Sequence, residues 1–398
     1  MPRGGMCGRL TAVAMASALV LAACGSDDDP AVGPSNTSEG GGTTVTIAFM
    51  GALTGDNANL GINARDGVKL AVEEANAEDG DITIVVKEFD TGGDAAQAGT
   101  LKAQVIGDSS IIGVVGPVFS GESKAVIPDF EAAGLVMVSP SATNVELPNL
   151  VPDGKVFHRV IADDALQAAG IAAYLADTAK PASVAFVHDN TDYGKGLTED
   201  LQKRVTDGGI KSALLATVNP DEEDFSATVN AVNTAKPDLV FYGGYYAEAG
   251  RFKKQLADAG STATFVSGDG SLDPGFITAA GAAGAEGARL SCPCNLAFEN
   301  SEGRLGAFFA DYTATIGKEP GLYSPEGYDS ANVLIQGIKA GNTDRPSLLN
   351  YLETEFTSYE GASKTVQFAP NGNVTSKDFF VFEVKDGKLA PLETVAVE

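Results

Sequence analysis

Ile111-Ile112-Gly113-Val114-Val115-Gly116-Pro117-Val118-Phe119-Ser120-Gly121-Glu122-Ser123 is the stretch that decides the fold. Ile111–Val115 is an unbroken apolar run of the length of a strand. Gly116-Pro117 interrupts it, and the polar residues from Ser120 onward lead into a helix. A strand with no polar face must be covered on both sides. That is the mark of a parallel sheet with helices above and below it.

The same unit recurs in both directions. Strands are predicted at Val45–Met50, Ile82–Glu88, Ile111–Val115 and Leu135–Val138. Amphipathic helices lie between them, such as Ala64–Ala77, with Val68, Ala71, Val72 and Ala75 on one face, and Ala95–Ile106. A second series begins near residue 163, with strands at Val184–His188, Ser212–Thr217, Leu239–Tyr242, Thr264–Val266 and Ala288–Ser291. The spacing in both series suits compact βα units. The fold class is therefore α/β, with two doubly wound, Rossmann-like lobes. A helix at Ser330–Lys339 and late strands at Ser363–Phe368 and Asp378–Val384 remain to be shared between them.

A chain of 398 residues allows two or three domains. It is 44% hydrophobic and 20% charged, enough apolar surface for sizeable cores. Acidic residues number 53 against 27 basic ones, a net charge of −26. That balance argues against a nucleic-acid partner, which needs a positive surface. It suits a soluble monomer. The four cysteines (Cys7, Cys24, Cys292 and Cys294) and two histidines (His158 and His188) form no zinc pattern, and no metal or cofactor is expected.

Arg3 and Arg9 precede an apolar run, Leu10–Ala23, too short for the ~20 residues of a membrane-spanning helix. This is the layout of a secretory signal, residues 1–23. The run ends Leu21-Ala22-Ala23-Cys24-Gly25, which matches the lipobox of bacterial lipoproteins, with Cys24 as the lipidated residue. Residues 24–43 are rich in Gly, Ser, Asp, Asn and Pro and read as a flexible linker. The expected location is the outer face of the cell membrane. An oxidising compartment permits a Cys292–Cys294 disulfide; the alternative is two reduced cysteines at a strand end.

Ligands of open α/β sheets bind beyond the carboxyl ends of the strands. The candidate site residues are those that follow strands. Phe119 and Ser120 come after Ile111–Val115, and Ser141 and Thr143 after Leu135–Val138. Tyr193 follows Val184–His188, Tyr245 follows Leu239–Tyr242, and Asp269 follows Thr264–Val266. Hydroxyls and free N–H groups at a helix start suit a carboxylate. A carboxylate with aromatic walls suits an ammonium. Together they fit a small zwitterion. Each residue has a structural alternative: Ser and Thr cap helices, tyrosines pack with a wet hydroxyl, and Asp269 between glycines forms a turn. No GxSxG elbow, metal set or complete GxGxxG is present.

These residues also resemble a family. Gly51-Ala52-Leu53-Thr54-Gly55, Gly116–Ser123, Ser139-Pro140-Ser141-Ala142-Thr143, His188-Asp189 with Tyr193-Gly194, Phe241–Tyr245 and Gly268-Asp269-Gly270 resemble the leucine/isoleucine/valine-binding proteins of ABC importers, of the type I periplasmic-binding fold. The resemblance covers the chain from about Thr44 onward. It implies that Ser120 and Thr143 meet the ligand carboxylate. The Ser141 carbonyl, the Thr143 hydroxyl and Asp269 meet the ammonium, and Tyr193 and Tyr245 close over the ligand. It places Leu60 and Tyr323 in the side-chain pocket, where aromatic residues and Phe, respectively, are common. Asp269 stands where leucine-type relatives carry Glu, and Phe119 and the loop near Gly92 lack the cysteines of a family disulfide. Three crossovers, near residues 162, 293 and 370, are implied. They divide the body into lobe 1 (44–162 plus 295–370) and lobe 2 (163–294 plus 371–398). The implied partners are a small amino acid and ABC permease subunits. The functions to distinguish are transport, amino-acid or amide sensing by a lipoprotein receptor, and a secreted enzyme; the missing catalytic sets weigh against the last.

Overall fold

A computed structural model describes residues 42–397 except Asp79 and Asp221. The signal, Cys24 and nearly all of the linker lie outside these residues. The first lobe is built on a parallel sheet of β1 (Thr43–Gly51), β2 (Ile82–Asp90), β3 (Ile111–Val115), β4 (Val136–Ser139) and β5 (Phe157–Arg159) in the order β2-β1-β3-β4-β5. Its helices are α1 (Ala58–Ala77), α2 (Ala95–Gly107) and α3 (Ser120–Ala132). The chain then crosses to the second lobe through α4 (Asp164–Tyr174).

The second sheet contains β6 (Ser183–His188), β7 (Lys211–Thr217), β8 (Leu239–Gly243), β9 (Thr264–Ser267) and β10 (Arg289–Cys292), all parallel, in the order β7-β6-β8-β9-β10. Both lobes thus have the 2-1-3-4-5 order of a doubly wound sheet, with a switch point between the first and third strands. Around the second sheet lie α5 (Asp192–Asp207), α6 (Ser226–Ala235), α7 (Tyr246–Asp258), α8 (Pro274–Ala280) and α9 (Ala282–Ala285). After β10 the chain returns to the first lobe through α10 (Gly303–Ile316), α11 (Ser324–Lys339) and α12 (Arg345–Thr354), with α11 packed on α1, β3 and β4. A hairpin of β11 (Tyr359–Glu360) and β12 (Thr365–Val366) follows. Antiparallel β13 (Phe380–Lys385) and β14 (Lys388–Thr394) then extend the second sheet.

The differences from the sequence-based expectation have local causes. β5 is short and centred on His158, so it lacks an apolar run; Arg159 is nevertheless fully buried. The strand expected over Ser363–Phe368 shrinks to Thr365–Val366. Its neighbour Ser363 is engaged instead by Asp329 of α11, whose carboxylate accepts from the Ala362 and Ser363 N–H groups. Cys292 and Cys294 are disulfide-bonded where β10 ends, with Cα atoms 4.9 Å apart. Among the described residues no helix is long and apolar enough to cross a membrane.

Candidate functional site

In the first lobe the loops after β3 and β4 are stitched together. Ser139 and Ser141 donate to the carbonyls of Pro117 and Val118, at 2.7 and 2.6 Å. The Ser120 hydroxyl, at the start of α3, accepts from Asn144 N–H at 3.2 Å. Glu122 lies beneath this loop. It accepts from Phe119 N–H at 3.0 Å and from the Thr91 hydroxyl, and burial pushes its carboxyl up to about 7.

In the second lobe Asp269 follows β9 and is fully buried. Tyr193, in the first turn of α5, donates to one of its oxygens at 2.6 Å. Tyr323, from the loop that enters α11, donates to the other at 2.8 Å. The Asp269 N–H donates to Gln167 Oε1 at 2.9 Å. Gln167 Nε2 in turn donates to Asp164 at 2.9 Å, and Asp164 N–H donates to the Thr143 carbonyl at 2.8 Å. Burial raises the Asp269 carboxyl, and the two tyrosine hydroxyls oppose that rise. Asp164 is raised well above the ordinary carboxylate range, by burial first and by the Asp269 charge second.

Between the lobes is a small, nearly closed cavity of about 10 Å³. Phe119, Ser120, Ser141, Tyr193, Tyr245, Asp269 and Tyr323 all line it, with Val118 and Gly270. The Phe119 and Tyr245 rings meet across it with centroids 4.5 Å apart, and Tyr193 and Tyr245 are 5.3 Å apart. Two of the expected residues are not on its wall. Leu60 is wholly buried in the main apolar core. Thr143 is buried and is not among the residues on the cavity wall. A wider cleft lies outside the Phe119–Tyr245 pair, lined by acids that include Asp56, Asp94, Asp192 and Glu248, with Arg251.

The arrangement has the chemistry of a zwitterion site. A buried carboxylate held by hydroxyls rather than by a cation is an incomplete ion pair. Opposite it are Ser120, Ser141 and the first turn of α3, whose free N–H groups favour an anion. Among the described residues no group of three or more His, Cys, Asp or Glu is placed to hold a metal ion. Asp164 and Gln167 escaped the sequence reading because the strand before them, β5, has no apolar run to reveal it. The available signal was an acid and an amide three residues apart at a helix start.

Residues 44–388 match the model of a family described as periplasmic binding protein. The chain belongs to that family. The Leu/Ile/Val-binding protein homolog 3 of Brucella melitensis is 32% identical, over 88% of this chain and 94% of that one. The leucine-, isoleucine-, valine-, threonine- and alanine-binding protein of Pseudomonas aeruginosa is 29% identical, over 85% and 90%. Among solved structures, the branched-chain amino acid transporter substrate-binding protein LivJ of Streptococcus pneumoniae, in complex with isoleucine, superposes with a TM-score of 0.81. It is 25% identical, over 89% of this chain and 99% of that one. The leucine-binding protein LivK of Thermotoga maritima gives a TM-score of 0.80 at 26% identity, over 88% and 98%. The fold is the type I periplasmic-binding fold, two α/β lobes with the cavity between them.

Proposed function

We propose that this chain is the extracytoplasmic substrate-binding lipoprotein of an ABC importer and that it captures a small aliphatic L-amino acid, branched-chain ones included. One observation carries the ligand class: buried Asp269, whose carboxylate accepts from the Tyr193 and Tyr323 hydroxyls, faces Ser120 and Ser141 across a small cavity. The ammonium docks on Asp269. The carboxylate docks on the Ser120 hydroxyl and the α3 N-terminus, with Thr143 close by. The ligand side chain lies among Phe119, Tyr245 and Tyr323. In this reading the lobes are residues 44–162 plus 295–370 and 163–294 plus 371–398. The chain acts as a monomer, without a cofactor and without catalysis, and hands its ligand to permease subunits.

Calorimetry with a panel of L-alanine, threonine, valine, isoleucine and leucine tests the ligand class. At least one should bind, and Asp269→Ala should weaken it at least about thirtyfold, because the variant strands a buried ammonium, a loss of about 2–5 kcal/mol. Binding of the panel by Asp269→Ala within threefold of the parent sinks the assignment.

A further inference from the structure

A second cavity lies away from the cleft, where α1, α10, α11 and the β11–β12 hairpin meet. Its volume is about 180 Å³, more than ten times the roughly 10–15 Å³ that admits a water molecule. No residue that lines it also lines the central cavity or the outer cleft. Helix α1 packs on α10 and α11, and the Asp329 carboxylate ties the hairpin to α11. The shape of this cavity therefore does not depend on how far apart the lobes stand. Its walls are aromatic. Phe308 is buried and Tyr328 half-buried, and their rings meet edge to face, with centroids 5.3 Å apart and planes at 64°. Tyr359 of the hairpin adds a third ring, and the small side chains of Ala307 and Ala362 leave space between them.

The charge of the cavity is negative. Glu74, Asp311 and Glu360 line it, with Arg304 as its one basic residue. Arg304 is already engaged, in an ion pair with Glu360 and in a hydrogen bond to the Thr365 hydroxyl at 3.5 Å. Among the described residues neither Glu74 nor Asp311 forms an ion pair. The Tyr328 hydroxyl donates to Glu74 at 2.6 Å and so holds that carboxylate at the cavity. Two carboxylates thus stand uncompensated beside aromatic rings. We propose that this cavity is a second binding site, which takes a small organic ammonium ion with a fully alkylated nitrogen. A ring quadrupole attracts a cation to its face, and aromatic walls recognise quaternary ammonium groups in this way. A primary ammonium brings three N–H donors and a guanidinium five. A quaternary ion has no N–H to satisfy, so aromatic walls and one held carboxylate suffice for it.

Magnetic resonance of the full mature chain, isotope-labelled at its alanine methyls, tests the site, because Ala307 and Ala362 lie on the cavity wall. Choline chloride is the probe, and sodium chloride at equal concentration is the blank. Both methyl signals should shift saturably with choline. Neohexanol, the uncharged carbon analogue of choline, should bind at least about tenfold more weakly. Glu74→Gln should weaken choline binding at least about fivefold, the scale of one nearby charge. Ala307→Leu fills the cavity and should abolish the shift of the Ala362 methyl. Asp269→Ala should bind choline as the parent does, since the site is apart from the cleft. The absence of a saturable shift, equal binding of neohexanol, or choline binding by Glu74→Gln equal to the parent's overturns the cation site. Loss of choline binding in Asp269→Ala would put the ion in the cleft and overturns it as well. Tighter binding of N-acetyl-lysine amide than of choline would replace the free quaternary ion by a protein side chain. All of these outcomes are independent of the proposed amino-acid site, which the calorimetric panel decides separately.

Discussion

Glu122 shows how the site's supporting residues impose a pH dependence of their own. Its ordinary value is 4.5, and burial carries it to about 7. The folded protein therefore keeps a proton that the unfolded chain releases above about 4.5. Stability from this group is full below 4.5, falls as pH rises, and is gone above about 7, by up to about 1.4 kcal/mol per pH unit. Asp189, also pushed up to about 7 by burial, acts in the same direction. Urea unfolding at pH 5 and pH 7 should show the parent losing stability and Glu122→Gln losing less. Equal slopes would place the carboxyl's proton elsewhere. The sequence marked Ser120-Gly121-Glu122 as a candidate for meeting ligand, and Ser120 lines the cavity. It did not show that Glu122 turns inward to Phe119 N–H and Thr91 rather than toward the ligand. Side-chain direction at a loop–helix junction follows from what packs beneath it.

Among the elements, the pair α1 and α11 controls where Tyr323 stands. The two helices approach through reciprocal glycines. A Cβ on Gly67 would lie 2.1 Å from the Ser324 carbonyl oxygen, and one on Gly327 would lie 2.1 Å from that of Ala64. Gly67→Ala must push the helices apart, at a cost of about 1–3 kcal/mol. It should also weaken ligand binding, because Ser324 adjoins Tyr323. Gly99→Ala in α2 meets nothing within 4 Å and serves as the comparison, a gain of about 0.4–1 kcal/mol. Denaturant midpoints check both; a Gly67→Ala protein as stable as the parent, with unchanged affinity, would refute the coupling. The sequence anticipated α1 from Ala64 on, where Val68, Ala71 and Val72 repeat at helical spacing. It missed the first turns because Asn57, Asn59 and Asn63 hide the pattern, and those turns carry contacts to the second lobe. It missed β14 for a similar reason: an edge strand with exposed residues and Pro391 has no apolar run to read.

At the scale of the molecule, recurrence of the βα unit made the two lobes legible. Strand order was not, since pairing between distant strands leaves no local mark. The observed 2-1-3-4-5 order in each lobe brings the loops after β3, β6 and β8 to the cleft, and with them Ser120, Tyr193 and Tyr245. Binding alone does not make an importer; in the proposed role the loaded protein must also meet permease subunits. The lipidation proposed at Cys24, outside the described residues, would hold the protein at the membrane that contains the permease. Confinement of that kind raises effective concentration without any new contact. Binding and delivery are therefore separable. Cys24→Ala should leave the isoleucine affinity of the purified protein within twofold of the parent's, because the cavity lies wholly within the described body. The same substitution should move the protein out of the membrane fraction, or leave it unprocessed, and lower uptake of labelled isoleucine by whole cells. Fractionation beside an uptake assay reads both effects, and a Cys24→Ala protein that stays on the membrane at the parent's level would remove the anchor from this account.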